Sequence, residues 1–359
     1  MITFRAPMLL SLVLSCTQIL PALSQDAVPD RRLFITRDID YYGSDLQPLF
    51  DTTLAACERT CLNDPECRAF TFNTAKGACF PKTDITDRQP FDGALSGRVV
   101  EVSSGALLRA TERRAELDFV TDADIARARS EATALPSRYP GGQYSVQSLL
   151  DAAQQARSTR DLINAIYGTG AATAQSDDPA HWLQLAEYSA EFAETLQNAE
   201  RRTYRLRARL ATINAYLRAE QIAQRQTALL LMSSTLERQG RGRDSIAPLR
   251  LADRLGTRAD ITAALDEAIA QYGFRIVENT VEADSAAPRI CAQFSEDLIR
   301  AGQDYTPYVR LPDPRLAVSV DDRRICVAGV EHGQRYTVTF RSGLPSANGD
   351  ALIKDVSIT

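Results

Sequence analysis

The stretch C-E-R-T-C-L-N-D-P-E-C-R-A-F-T-F-N-T-A-K-G-A-C, residues 57–79, holds four of the seven cysteines and decides the fold of the N-terminal part. Cys57 and Cys61 lie four residues apart, so on a helix their side chains share one face. Thr52 and Thr53 are candidate N-caps for that helix. The run N-D-P at 63–65 supplies its C-terminal stop.

The second half of this stretch predicts a hairpin. Cys67 opens an alternating run in which Phe70 and Phe72 share one face, as in a half-buried strand. Residues 74–77 favour a turn, and Cys79 begins the returning strand. A short helix held onto a hairpin by two disulfides accounts for the spacing, because so small a core needs covalent support.

Zinc is the alternative interpretation of four close cysteines. Their spacing, C-x3-C-x5-C-x11-C, lacks the paired C-x2-C knuckles usual for zinc, and no histidine lies nearby. We therefore favour disulfides, although four cysteines alone allow three pairings.

Over roughly residues 32–100 the sequence resembles a PAN/Apple domain. The matching features are D-Y-Y-G at 40–43, the C-x3-C helix, C-R-A-F-T-F-N at 67–73, A-C-F at 78–80 and S-G-R-V at 96–99. The resemblance implies nested disulfides, Cys57 with Cys79 and Cys61 with Cys67. It also implies a non-catalytic module that binds a protein or carbohydrate ligand.

Composition excludes one class of partner. The chain has 359 residues, enough for two or three domains, with 44% hydrophobic and 24% charged residues. Its net charge is −5 and its pI about 5.3, so no basic surface for nucleic acid is expected.

Residues 1–24 have the pattern of a secretory signal peptide. Arg5 precedes an apolar run over 6–20, and A-L-S at 22–24 suits a cleavage site. This predicts a periplasmic or secreted protein with six remaining cysteines. V-L-S-C, ending at Cys16, weakly resembles a lipobox, and attachment to a membrane is expected only if Cys16 is lipidated.

The middle of the chain is helical in pattern. Residues 101–145 read as a linker with one helix, about 118–133, broken by L-P at 135–136 and Y-P-G-G at 139–142. Residues 146–273 read as α-helical hairpins, with one partial tetratricopeptide-like (TPR-like) repeat over 229–252. The predicted helix starts are Ser145, S-T-R-D at 158–161 and Asp178-Pro179, followed by helices at 204–217, 222–236, 246–255 and 261–272.

Two stretches within this region are assigned no function. The small residues at 168–176 predict a loop. The basic run is interpreted as a solvated face beside glutamates. Its members are Arg201, Arg202, Arg205, Arg207 and Arg209.

The hydrophobic period changes to two after Phe274, which predicts an antiparallel β-sandwich over 274–359. Cys291 and Cys326 each fall within a predicted strand, and we expect them to bridge neighbouring strands or facing sheets. The predicted strands are 275–281, 290–294, 316–320, 325–327, 336–340 and 352–358.

This C-terminal segment resembles the first macroglobulin-like domain of bacterial alpha-2-macroglobulins. The matching runs are I-C-A-Q-F-S-E at 290–296, R-I-C-V at 324–327 and G-L-P-S-A-N-G at 343–349. The order of signal, PAN module, helices and sandwich also resembles the N-terminal portion of that protease-inhibitor family. Its thioester motif C-G-E-Q does not occur in this sequence, nor does a bait region. Trapping is therefore not expected of this chain, which reads as a detached N-terminal portion that docks further macroglobulin domains or a separate chain.

Catalysis finds no support in the sequence. His181 and His332 fall in different predicted units, and no nucleophile elbow, zinc-protease helix, phosphate loop or dinucleotide fingerprint occurs. The prediction is an α+β multidomain protein that is exported, non-enzymatic and free of metal or cofactor, and that acts by binding. The alternative is a PAN-mediated adhesin or carbohydrate-binding protein unrelated to protease inhibition.

Overall fold

The computed structural model describes residues 27–284, 287–299 and 301–359. Within them the chain mixes ten α-helices with three antiparallel sheets. The predicted signal peptide and Cys16 lie outside the described residues. No helix in the described part combines the length and apolar character needed to span a membrane.

The N-terminal unit is a four-stranded sheet with one helix. The strands are β1 (Arg31–Tyr42), β2 (Ala69–Asn73), β3 (Ala78–Lys82) and β4 (Asp87–Glu101), in the order β1-β4-β2-β3, and the helix is α1 (Leu54–Asn63). Thr53 caps α1, its side chain accepting a hydrogen bond from the backbone N–H of Ala56. Disulfides join Cys57 to Cys79 and Cys61 to Cys67, the pairing that the PAN resemblance implies.

Strand β2 is buried on both faces, whereas the sequence predicted a half-buried strand. Phe70 and Phe72 belong to the cysteine-rich core on one side. Thr71 on the other side is covered by the end of β1, where the Tyr41 backbone N–H donates to Thr71 Oγ1 at 3.0 Å. The predicted alternation of side chains along β2 was correct. The sequence did not show that its second face is covered by a segment 30 residues away.

Residues 101–145 differ from the expected linker. They form two helices, α2 (Ser104–Glu116) and α3 (Asp122–Arg138), and α3 runs through Pro136 close to its end. The following glycines are packed rather than free. Gly142 donates its N–H to the Ile35 carbonyl of β1 at 2.9 Å, and a Cβ at Gly142 would lie 2.7 Å from that oxygen. The structure therefore shows a close contact where the sequence suggested a break in a linker.

Seven further helices follow. They are α4 (Val146–Ser158), α5 (Leu162–Ser176), α6 (Pro179–Thr195), α7 (Asn198–Arg218), α8 (Ile222–Arg238), α9 (Ile246–Leu255) and α10 (Ala259–Tyr272). Ser145, Asp161 and Asp178 are the N-caps of α4, α5 and α6. One large core includes buried residues from α2 to α10.

The loop predicted at 168–176 is wrong, because these residues are the second half of α5. Gly168 and Gly170 lie within the helix, where other segments of the protein approach them too closely for a side chain. A Cβ at Gly170 would lie 2.3 Å from the Tyr139 ring, and one at Gly168 would lie 2.8 Å from the Leu149 carbonyl. Small residues here serve helix packing.

The arginine run is also only partly a solvated face. Arg209 is 6% exposed and forms a bidentate ion pair with Asp124 of α3, at 2.8 and 2.9 Å. Arg205 keeps the expected partial exposure and pairs with Glu194.

The C-terminal unit consists of two antiparallel sheets around one core. The first sheet has the order β5-β6-β9-β8 and contains β5 (Ile276–Glu282), β6 (Arg289–Phe294), β8 (Ala317–Asp321) and β9 (Arg324–Ala328). The second sheet has the order β11-β10-β7 and contains β7 (Val309–Arg310), β10 (Val338–Phe340) and β11 (Val356–Ile358). Phe294 of one sheet meets Phe340 of the other edge to face, with centroids 5.6 Å apart. Cys291 and Cys326 stand opposite each other on β6 and β9 and are disulfide-bonded, so the bridge joins neighbouring strands.

Candidate functional site

A groove of about 230 Å³ opens on the N-terminal unit, and we call it the Tyr42 groove. It lies between the end of β1, the exposed half of β4 and the adjoining faces of β2 and β3. Its lining residues are Asp40, Tyr41, Tyr42, Gly43, Asp45, Thr71, Asn73, Phe80, Lys82, Phe91 and Ala94.

A β-bulge places the end of β1 over the groove. The register with β4 shifts between Arg37 and Ile39, and Asp38 adopts a φ of 55°. The Asp38 carboxylate accepts the backbone N–H of Gly93 at 2.9 Å, which holds the bulge against β4. Bulges re-aim the side chains that follow them. Here the bulge brings Tyr41 and Tyr42 alongside the face of β2.

Gly43 fixes the next turn. A Cβ at this position would lie 2.3 Å from the Asp84 carbonyl oxygen, so only glycine fits. The adjacent Ser44 N–H donates to the Asp84 carboxylate at 2.6 Å. The D-Y-Y-G run at 40–43 thus forms one rim of the groove for a steric reason.

The groove combines exposed aromatic rings with charged and amide groups. Tyr42 is 44% exposed and Phe91 is 45% exposed. Lys82 is almost buried, forms an ion pair with Asp45, and holds its Nζ 6.0 Å from the centroid of the Phe80 ring. Hydrogen-bond donors and acceptors therefore lie next to open aromatic faces.

Comparison with known families assigns this unit. Residues 39–84 match the model of the PAN domain. This stretch of the chain is a PAN domain. PAN domains generally bind proteins or carbohydrates. No curated protein and no solved structure gives a significant match, and the comparisons give no support to the macroglobulin resemblance.

The matched segment carries much of the groove. Asp40, Tyr42, Asp45, Asn73 and Lys82 all fall within residues 39–84, whereas Phe91 comes from β4 just beyond them. The four PAN cysteines lie in the core with no exposed surface and hold α1 against the hairpin. They stabilise the core on the opposite face of the sheet from the groove.

Besides the contacts of β1, a side chain of α1 also joins the PAN domain to the helices. Glu58 of α1 accepts a hydrogen bond from Ser137 Oγ of α3 at 3.3 Å, and its Oε1 is buried without a hydrogen-bond partner. Burial raises the pKa of Glu58 to about 7, against smaller opposing effects of the Ser137 hydrogen bond and of Arg59. The contact therefore contains a titratable group in the neutral pH range.

The two histidines lie in separate parts of the structure. His181 is in the first turn of α6, with Nδ1 2.7 Å from Ser176 Oγ, and His332 is in a turn between β9 and β10. In the described ranges, no group of three or more His, Cys, Asp or Glu side chains is arranged to hold a metal ion.

Sequence reasoning identified the D-Y-Y-G run only as a family feature and did not find the groove. Lys82 and Phe91 gave no local signal, since Lys82 is the last residue of β3 and Phe91 lies within the next strand, β4. Only the fold brings them within one cavity with Tyr42.

Proposed function

We propose that this chain is a non-enzymatic binding protein that recognises a carbohydrate through the Tyr42 groove of its PAN domain. The observation that supports this most directly is the pair of half-exposed rings, Tyr42 and Phe91, beside carboxylates, an amide and an ammonium group. A sugar has an apolar face that packs on an aromatic ring and hydroxyl groups that both donate and accept hydrogen bonds. The groove offers both kinds of contact within a space suited to one or two sugar residues.

A glycan array on the purified chain, followed by calorimetry on the best glycan, tests this proposal. We expect Tyr42→Ala and Phe91→Ala each to weaken binding roughly tenfold, about 1.4 kcal/mol. Tyr144→Ala is the control, because Tyr144 is 57% exposed and does not line the groove. An array without any bound glycan, or equal loss in all three variants, would contradict the proposal.

A protein ligand is the second candidate, and Phe50 is the observation that favours it. Its ring packs edge to face on Phe80 at 6.1 Å while remaining largely open. Exposed aromatic anchors of this kind are enriched at protein interfaces. Loss of binding to a partner protein in Phe50→Ala, with glycan binding absent, would select this candidate.

We further propose that the protein is exported, to the periplasm or beyond. Its three disulfides support this, because such bonds persist in oxidising compartments. Cell fractionation with thiol alkylation tests it, and protein found only in the cytoplasm with its cysteines free would refute it.

The macroglobulin-like role of residues 274–359 also remains a proposal, and it rests on the sequence runs quoted above. Two of those runs come together in the fold, where Ser346 Oγ and Asn348 Nδ2 donate to the Glu296 carboxylate at 3.1 and 3.2 Å. In this proposal the unit docks further macroglobulin domains or a separate chain and does not trap proteases by itself. Stoichiometric protection of trypsin against a large protein substrate would show that the chain is an inhibitor in its own right.

A further inference from the structure

A second cavity, of about 290 Å³, lies where the helices meet the C-terminal unit. Its walls come from the turn between α2 and α3 (Phe119), from α7 (Ile213) and from α8 (Met232 and Leu236). Asn348 of the C-terminal unit contributes to the same cavity. It is separate from the Tyr42 groove and shares no residue with it.

The cavity changes character from one end to the other. Met232 and Ile246 are each 1% exposed, so its inner wall is apolar and deeply set. The side chains of Arg241, Arg243 and Arg250 are 41%, 38% and 43% exposed, so the cationic end faces solvent. Such a gradient matches a molecule with an apolar body and a charged head.

The charge of the lining is positive. It contains four arginines and two aspartates. The carboxylates that bind Arg243 and Arg250, Glu296 and Asp350, do not line the cavity and compensate the arginines from the far side.

Two of these guanidinium groups keep unused donors. In the part of the chain that the structure describes, Arg241 donates through Nε to Asp244, and Arg250 donates through Nη2 to Asp350, each at 2.7 Å. Each arginine has five N–H donors, so most of theirs remain available to a ligand. Burial, and to a smaller degree the nearby Arg243, lower the pKa of Arg250, against an opposing effect of Glu296, which is the direction expected where cations crowd together in a partly buried site.

We propose that this cavity is a binding site for a small amphipathic anion, such as an aromatic sulfonate or a medium-chain carboxylate. The apolar body lies against Met232 and Leu236, and the anionic head accepts hydrogen bonds from Arg241 and Arg250. The volume is close to the lower end of the range for ligand pockets, roughly 300–1,000 Å³, which excludes large lipids. This inference does not depend on the function proposed for the PAN domain.

Fluorescence titration of the full chain with two matched probes tests the site. 1-Anilinonaphthalene-8-sulfonate carries the anionic head, and N-phenyl-1-naphthylamine is its neutral counterpart. We expect the sulfonate to saturate at one molecule per chain and to bind at least tenfold more tightly than the neutral probe. Octanoate should displace it, whereas octanol at the same concentration should not.

Variants then locate the site. Arg241→Met and Arg250→Met should each weaken the sulfonate at least fivefold and change the neutral probe less than twofold. Arg202→Met is the control, because Arg202 is exposed on α7 and does not line the cavity. Ala247→Leu should weaken both probes, since Ala247 lines the cavity and a larger side chain would fill it.

Three results would overturn the proposal. The first is equal affinity for the two probes, and the second is displacement by octanol that is as effective as displacement by octanoate. The third is sulfonate fluorescence that rises only in samples that no longer show a thermal unfolding transition, because the probe would then bind unfolded protein. The octanoate and octanol comparison uses the unmodified chain, so it decides the matter even if an arginine variant fails to fold.

Discussion

Replacing Glu58 with glutamine should stabilise the protein, and the gain should depend on pH. Glu58 connects the PAN domain to α3, where Ser137 donates to one carboxylate oxygen and the other is buried without a partner. Ionisation therefore places a charge in the contact between two units. Glutamine keeps the acceptor for Ser137 and cannot ionise.

The magnitude follows from the pKa of Glu58, which burial raises from 4.5 to about 7. At 1.36 kcal/mol per pKa unit, this difference corresponds to at most about 3 kcal/mol, less whatever water still supplies to the carboxylate. Because the folded-state pKa is raised, the stability of the wild type is fully present below pH 4.5 and declines as the pH rises through about 7.

Urea denaturation of the full chain at pH 4.5, 6 and 8.5 checks this prediction. We expect Glu58→Gln to change the free energy of unfolding little at pH 4.5 and to raise it by about 2–3 kcal/mol at pH 8.5. Glu66→Gln is the control, because Glu66 is exposed in the same unit. A gain of the same size at all three pH values, or destabilisation at pH 8.5, would refute the argument.

Three further predictions concern buried contacts within the helices and between the units. Asp124→Ala should lower the free energy of unfolding by about 3–5 kcal/mol in urea melts, because it leaves Arg209 buried and uncompensated, and adding Arg209→Met should recover much of the loss. Since the hydrogen bond from Arg209 keeps the pKa of Asp124 below 3.8, that stabilisation should be present above pH 3.8 and lost as the pH falls through the folded-state pKa. The wild type should resist trypsin at residues 136–142, whereas the Gly142→Ala variant should be cut there, because the alanine Cβ would lie 2.7 Å from the Ile35 carbonyl oxygen. Equal digestion of the two proteins would contradict the packed contact. Asp350→Asn should expose the boundary between helices and C-terminal unit to protease, and an unchanged digestion pattern would show that the arginine contacts there are dispensable.

The features that the sequence predicted well are those set by neighbouring residues. Thr53, Ser145 and Asp178 are N-caps in the structure because a cap bonds the backbone two or three residues ahead. The mixed helix and antiparallel sheet architecture followed in the same way, from hydrophobic periods read over short windows.

The predictions that failed depended on contacts between distant segments. The glycines and threonines of residues 168–176 locally disfavour a helix, yet the segment is helical, and its glycines make room for Tyr139 and Leu149, which pack closely against it. Arg209 looked like one more surface cation, and its partner Asp124 lies 85 residues earlier. The Tyr42 groove was missed for the same reason, since Phe91 reaches it from a different strand.

Strand β1 relates the proposed binding site to the rest of the molecule. Near its start, Arg32 donates to the Ala174 carbonyl of α5 at 3.1 Å and pairs with Asp177, which also accepts from Arg218 of α7. At its end, after the bulge, the same strand supplies Tyr42 to the groove. A single strand, hydrogen-bonded along its length to β4, thus reaches from the helix contacts to the ligand contacts. The helices therefore support the strand that forms one wall of the groove, and under the proposed function a ligand bound at Tyr42 would keep one orientation relative to them.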